Sequence, residues 1–402
     1  MVACQICRST RVTPHLDVGA HPVSSFYLPR HDTPAVAYGL VLAQCETCGT
    51  IQLTRPVPHE ALIPPYDWLF AREPEDHLDE VVERLCALPG IDSGATIAGL
   101  TAKDDTTLER FRRRGFRKVW GVSLRDDLGI VNPNANYETV QKLTTPARMT
   151  DVAARHGGPA DLLIVRHIIE HAEDLAAFVG GLAALVRPGG YVMIEAPDCA
   201  ASLRLNDYAM VWEEHSLYFT PATYRPVLEW GGFEPVMAAD YVLPFENCMV
   251  RVGRKDGPPR TPRPDPAGLA EVGLLARYAA AFGPTTAALR RALEAERRHG
   301  PLALFGAGHL ACAFVNFHGL ADLFDFVADD TPQKQGLFLP GARLPILPSA
   351  ALVQRGVRLC LLALSIANED RVIARNADFI ATGGRFQSIF AASPRSVRGL
   401  FG

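Results

Sequence analysis

Short apolar runs alternate, from about residue 75 onward, with stretches in which apolar side chains return every three or four positions. The first kind, at residues 96–100, 118–124, 161–169 and 190–196, predicts β-strands. The second kind, at 106–114, 175–186 and 221–230, predicts amphipathic helices. Strands alternating with helices form a parallel sheet with helices on its faces, and Pro188-Gly189-Gly190 reads as a turn before a strand. A second series begins with a strand at 302–305 and the glycine turn Gly306-Ala307-Gly308. It continues with a helix near 310–318, a strand at 323–328 ending in Asp329-Asp330, and a strand at 357–364. Between the series lie a proline-rich run at 257–266, read as a linker with a domain boundary, and a long helical stretch at 268–299. Ahead of both, residues 36–42 read as a strand, and Pro56, Pro58, Pro64 and Pro65 mark a loop. No short-period repeat is present. The pattern divides the chain into parts at 1–70, 71–256 and 267–402, the last two of α/β type.

Length agrees with that division, since 402 residues exceed one ordinary core. Charge narrows the partners: 40 basic against 44 acidic side chains give a net of −4, without the basic excess that phosphate backbones attract, so nucleic acid is not expected. Apolar runs such as 162–165 and 359–364 are strand-sized, far short of the roughly 20 residues a bilayer requires, so no membrane span is expected. The N-terminus has neither a basic nor an apolar leader region, and a reducing, cytoplasmic setting follows as an expectation. In that setting the nine cysteines are read for metal rather than for disulfides. Cys4-Gln-Ile-Cys7 and Cys45-Glu-Thr-Cys48-Gly49 are two C-x-x-C turns, and two such turns deliver four thiolates to the corners of a tetrahedron. The expected metal is a structural Zn²⁺ held by Cys4, Cys7, Cys45 and Cys48. A redox dithiol fits less well, because it follows a strand and opens a helix.

These residues resemble the three-domain C-methyltransferases that act on nucleotide-linked ketosugars in deoxysugar pathways, over nearly the whole chain. The double C-x-x-C looks like that family's zinc module. The segment Asp161-Leu-Leu-Ile-Val-Arg166-His167-Ile-Ile-Glu170-His171 looks like its post-strand segment, and Trp212-Glu-Glu214-His215-Ser-Leu-Tyr218-Phe219 like its active-site stretch. In the last part, Gly306-Ala-Gly308, Asp325 to Asp330, Lys334-Gln335-Gly336, Leu339-Pro340-Gly341, Pro345-Ile346 and Gly383-Gly384-Arg385-Phe386 recur in family order. The resemblance implies a zinc module, a central class I methyltransferase-like Rossmann domain and a C-terminal Rossmann-like domain. It further implies methyl transfer from S-adenosylmethionine to a carbon next to a ketone, with a small-molecule substrate. His215 is the implied base, since a neutral imidazole accepts a proton near neutrality, with Glu214 orienting it and Tyr66 on the substrate side. Tyr218 is an implied substrate contact. The implied cofactor positions are Gly99, Asp104, Ser123, Arg166 and His167. Gly306, Gly308, Asp329 and Lys334 would hold the substrate's nucleotide diphosphate, at a helix N-terminus and the end of the next strand.

The chain departs from this family at the cofactor loop. Where relatives place an acid, a glycine and an Asn-Asp-Gly-like turn, it reads Ile97-Ala98-Gly99-Leu100-Thr101-Ala102-Lys103-Asp104-Asp105-Thr106. Lys103 would bring a charge beside a cationic sulfonium unless it points away. The second strand ends in Ser123 where an acid is expected, leaving Asp126 or Asp127 to stand in. Trp212 replaces a tyrosine and excludes any step that uses its hydroxyl. A second reading therefore keeps the fold and the proton chemistry without S-adenosylmethionine, as an enolising, isomerase-like enzyme or a non-catalytic partner. A dehydrogenase is a weaker third, because Gly306 and Gly308 lack a third glycine. Neither substrate identity nor oligomeric state is written in the sequence.

Overall fold

Strands β1 (Val12–Pro22) and β2 (Ala37–Cys45) fill the interval between the two C-x-x-C turns, and β3 (Ile51–Leu53) follows the second. The computed structural model describes residues 2–68, 75–135, 137–243 and 246–401; the expected boundary at 70/71 lies outside them. The chain packs as two compact units. One is made of residues 1–13, 43–200 and 214–272, the other of 14–42, 201–213 and 273–402.

The first unit is built on a six-stranded sheet ordered β5-β4-β6-β7-β10-β9. Its strands are β4 (Thr96–Gly99), β5 (Lys118–Gly121), β6 (Ala160–Arg166), β7 (Val186–Pro197), β9 (Phe233–Tyr241) and β10 (Cys248–Lys255), while β8 (Leu217–Tyr218) pairs antiparallel with β3. β5, β4, β6 and β7 are parallel, and β10 runs antiparallel to both its neighbours. Helices cover both faces, which is why β6 reads as an unbroken apolar run rather than an alternating one. Ala98, Leu163, Val165, Val192 and Ile194 point to one face, against Met149, Val152, Phe178 and Leu182 of the helices Pro146–Arg155 and Leu175–Leu185. Ile97, Leu162, Ile164 and Met193 point to the other, against Val81, Leu85, Leu108 and Phe111 of the helices Leu78–Cys86 and Asp105–Arg113.

Four expectations are corrected. Pro188-Gly189-Gly190 lies inside β7 as an irregularity in its pairing with β6, because Gly189 takes φ +73° and a Cβ on Gly190 would meet Asp161 O at 2.9 Å. The stretch 221–230 is one short α-turn, Pro221–Tyr224, continued as the 3₁₀ turn Arg225–Gly231, since Pro226 supplies no amide to an α-ladder. The helical stretch 268–299 divides at Gly273 (φ +91°) into Pro266–Ala270 and Leu274–Arg297. The proline-rich run packs onto the first unit, with Gly257 N donating to Gly232 O and Arg260 N to Glu229 O, and the units part at 272/273.

The second unit carries an all-parallel sheet ordered β13-β12-β11-β14-β15. These strands are β11 (Leu302–Phe305), β12 (Phe326–Ala328), β13 (Ile346–Leu347), β14 (Leu359–Leu362) and β15 (Arg385–Ser388). Phe305, Phe326, Leu362, Phe379 and Phe386 form a core on one face. The 3₁₀ turn Tyr208–Met210 packs on the helix His309–Phe317, and Tyr208 Oη donates to Tyr278 O at 2.8 Å. Among the described residues no helix is long and apolar enough to cross a membrane.

Candidate metal centre and active site

The four expected zinc ligands meet. Cys4 Sγ lies 3.5 Å from Cys48 Sγ and Cys7 Sγ 3.6 Å from Cys45 Sγ, and all four sulfurs lie within 4.8 Å of one another. Zn–S bonds of about 2.3 Å put tetrahedral sulfurs about 3.8 Å apart, so the donor set fits Zn²⁺. The surroundings suit thiolates: Thr47 N donates to Cys45 Sγ, and the Thr50 hydroxyl lies 3.2 Å from Cys48 Sγ. Gln5, between the first pair, receives Leu175 N and donates to Ala172 O, tying the metal module to the turn and helix that follow β6.

Polar side chains converge at the carboxyl end of β6. The order β5-β4-β6-β7 makes the gap between β4 and β6 the topological switch point, where open α/β sheets bind ligands. The chain leaves β6 through Arg166 and His167 (φ +47°) into a 3₁₀ turn Ile169–His171, which presents Glu170 and His171. Ser216 N donates to Glu170 O, drawing the His215 segment alongside. The His171 and His215 rings meet edge to face at 4.8 Å, and Tyr218 lies 6.1 Å from His215. His171 Nδ1 is 3.2 Å from Glu138 Oε1, outside hydrogen-bonding geometry. Ligand atoms of Glu170, His171 and His215 lie within 4.8 Å of one another, as do those of Glu138, His171 and Glu214. Glu138, Glu170, His171 and His215 are all buried, yet both Glu138 oxygens and Glu170 Oε2 lack a hydrogen-bond donor among the described residues. Buried carboxylates without donors suit a cationic ligand, and a sulfonium cofactor meets that requirement. Sequence reasoning gave His215 and Glu214 roles here but missed Glu138, Glu170 and His171. The adjacent Glu170-His171 pair was the available signal.

The other expected cofactor residues are turned on one another. Asp104 is fully buried, and its carboxylate accepts from Leu100 N and Thr101 N, both at 2.8 Å. Burial pushes its pKa up to about 7 against those donors and Arg166. Gly99 gives way to this packing, since a Cβ there would meet Leu108 Cδ1 at 2.8 Å and Asp104 Cβ at 3.0 Å. Arg166 donates from Nε and Nη2 to Glu195 and from Nη1 to Lys103 O. Burial works against that charge, but Glu195, Asp104 and Glu75 outweigh it and raise the pKa. His167 Nε2 lies 2.7 Å and His77 Nε2 3.2 Å from the Glu195 carboxylate. Burial opposes the Glu195 charge, yet His167, His77 and Arg166 together hold its carboxyl well below the usual range. Lys103 places Nζ 4.7 Å from the centre of the Tyr137 ring. Ser123 N donates to Asp127 and its hydroxyl to Asp126, while His156 Nε2 lies 3.0 Å from Asp127. Tyr66 is half-buried, with its ring 4.9 Å from Trp68, and burial raises its pKa.

In the second unit the glycine turn, Asp329 and Lys334 come together. Asp329 Oδ2 accepts from Ala307 N at 2.9 Å and from Lys334 Nζ at 3.0 Å; Lys334 also donates to Ala307 O. Gly306 has φ +98° and a Cβ there would meet Ala363 O at 2.8 Å, so this turn requires glycine. Gly308 caps the helix His309–Phe317.

Known proteins match along the chain. Residues 4–62 match a zinc binding domain, 78–238 a methyltransferase domain and 263–390 a C-methyltransferase C-terminal domain. The chain is 24 % identical over 409 residues to the C-methyltransferase NovU of Streptomyces niveus, across 95 % of this chain and 94 % of that one. Among solved structures, magnesium protoporphyrin IX methyltransferase from Synechocystis with bound SAH is similar at 15 % identity and a TM-score of 0.32, covering 47 % of this chain and 91 % of that one. A Burkholderia thailandensis 1,6-didemethyltoxoflavin-N1-methyltransferase is similar at 15 % identity and a TM-score of 0.30, covering 45 % of this chain and 77 % of that one.

Proposed function

The chain belongs to the family of C-methyltransferases that join a zinc binding domain, a methyltransferase domain and a C-methyltransferase C-terminal domain, and on that premise we propose that it methylates a carbon next to the ketone of a nucleotide-linked sugar. Its activity is that of an S-adenosylmethionine-dependent C-methyltransferase. Bound at the switch point, with Glu138 and Glu170 as the carboxylates that would face its charge, S-adenosylmethionine supplies an electrophilic methyl group.

The observation that carries the reading is the edge-to-face pair of His171 and His215 beside those two carboxylates. His215 takes the proton α to the ketone, and the electron pair left behind makes that carbon nucleophilic. His171, against Glu138 and Glu170, packs edge to face on the His215 ring and holds it in place, and the Glu170 carboxylate beside them offsets the positive charge that develops on His215. Glu214 borders the same cluster and orients the substrate. Trp212 has no proton to exchange in this chemistry, so the base role falls to imidazole. Within the second unit, Gly306, Gly308, Asp329 and Lys334 are assigned to a nucleotide, with Asp329 toward ribose hydroxyls and Lys334 toward phosphate.

The test is deuterium exchange. A nucleotide-linked ketosugar incubated with the enzyme in D₂O should exchange its α-proton, and His215→Ala should lower that rate by about 10²–10⁴-fold. Exchange that survives His215→Ala unchanged would remove the residue from the base role.

A further inference from the structure

A second cluster of ligating side chains lies wholly within the second unit, and it has no part in the proton chemistry. His21 Nε2, Glu213 Oε2 and His309 Nδ1 lie within 4.8 Å of one another. Glu213 Oε2 is 3.0 Å from His309 Nδ1 and 3.6 Å from His21 Nε2. Ser24 Oγ sits beside them, 3.2 Å from His309 Nδ1 and 3.3 Å from His21 Nε2. All four residues are buried.

Hydrogen-bond accounting leaves this cluster short of protons. His309 Nε2 lies 3.2 Å from Ala209 O, an atom that only accepts, which assigns the ring proton to Nε2 and leaves the Nδ1 lone pair facing Glu213. Glu213 Oε1 is satisfied by Ser24 N at 2.6 Å, but Oε2 has no donor among the described residues. The protons within reach are the Ser24 hydroxyl and the His21 ring proton, which belongs on Nε2 because Nδ1 has no partner; passed from His21 to Ser24 and from Ser24 to His309 Nδ1, they leave the Glu213 Oε2 charge uncompensated. Acceptors that converge in a buried space without protons to share are stabilised by a cation.

We propose that His21, Glu213 and His309 bind a divalent zinc ion, with the Ser24 hydroxyl at or near the fourth corner. Zn–N and Zn–O bonds of about 2.0–2.2 Å place tetrahedral ligand atoms about 3.3–3.6 Å apart, close to the spacing here. Two imidazoles and a carboxylate form a donor set that suits zinc. The rings are already fixed: Trp212 stacks on His309 at 3.7 Å with 10° between planes, Phe317 packs on His21 at 4.6 Å, and Ala209 O holds the outer His309 nitrogen. The role is structural. Each ligand comes from a different one of the three segments that make up this unit, 14–42, 201–213 and 273–402, so one ion would staple all three.

The full-length chain, purified and loaded with excess Zn²⁺ and then freed of loose metal, should retain about two equivalents. Zinc-edge X-ray absorption on that sample should show sulfur together with nitrogen and oxygen neighbours. His309→Ala and Glu213→Ala should each retain about one equivalent with a first shell of sulfur alone. A variant that fails to fold leaves the wild-type measurement standing. One equivalent in the wild-type chain, with sulfur as its sole first-shell neighbour, would overturn the site and assign the cluster to an imidazolium–carboxylate pair.

Discussion

At the residue scale, Asp104 shows how a side chain's place along the chain is read from sequence while its surroundings are not. It was expected beside a cofactor because it follows the first strand of the sheet; in the structure it closes the loop on itself. Thr101-Ala-Lys-Asp104 has the spacing of a capping box, which was legible, and in the structure the Asp104 carboxylate takes the Thr101 amide while Asp104 N donates to the Thr101 carbonyl. Its burial was not legible, because burial depends on Leu108 and Arg166 arriving from other elements. The burial has a pH signature. The Asp104 carboxyl titrates at about 3.9 when unfolded and is pushed up to about 7 when folded. Its contribution to stability is therefore full below pH ~4 and is lost as pH rises through about 7. Asp104→Asn keeps an oxygen for the two amides and removes the titration. Relative to that variant, the wild-type chain should lose up to about 1.4 kcal/mol of stability per pH unit between about pH 5 and 7, read from urea midpoints. Parallel midpoint curves for the two proteins would refute the assignment.

At the scale of elements, parallel strands and their helices were readable because each strand is an apolar run buried on two faces. The antiparallel pair β9 and β10 was missed. β9 has a mostly exposed pattern, Phe-Glu-Pro-Val-Met-Ala-Ala-Asp-Tyr, in which neither period stands out. Glycine turns were legible as turns, but what approaches them was not. Gly49 follows the second C-x-x-C with φ +78°, and a Cβ there would lie 2.0 Å from Gly268 O, a backbone atom far along the chain that cannot yield cheaply. Gly49→Ala should cost at least about 1–3 kcal/mol from backbone strain, with the overlap in addition. That loss should appear first as zinc release to a chelator, because the turn it distorts carries Cys48. Unchanged zinc retention would show that the Gly268 backbone can move aside.

The whole molecule is where sequence pattern gave least. A reading along the chain divides it at its proline-rich run, whereas each compact unit collects three separate segments, and the chain passes between units five times, at 13/14, 42/43, 200/201, 213/214 and 272/273. Local periodicity carries no signal for such exchanges, because strand and helix patterns are the same whichever unit receives them. The consequence is testable on the C-terminal part. Residues 267–402 hold a complete parallel sheet, but the helix His309–Phe317 is covered by Tyr208, Ala209 and Met210, which are themselves buried. Cutting away 201–213 exposes the apolar side of that helix and strands the Tyr278 carbonyl that receives Tyr208 Oη. At about 1.5–3 kcal/mol for each large apolar side chain uncovered, the loss approaches the whole stability of a domain of this size. The isolated 267–402 fragment should therefore show helix and strand by far-ultraviolet circular dichroism without a sharp thermal transition. A fragment extended to begin at residue 201 would bring its cover along but still lack residues 14–42 and His21, so it should recover cooperativity only in part. A sharp transition in the 267–402 fragment alone would mean that the two inserted segments are ornaments on a self-sufficient domain rather than part of its core.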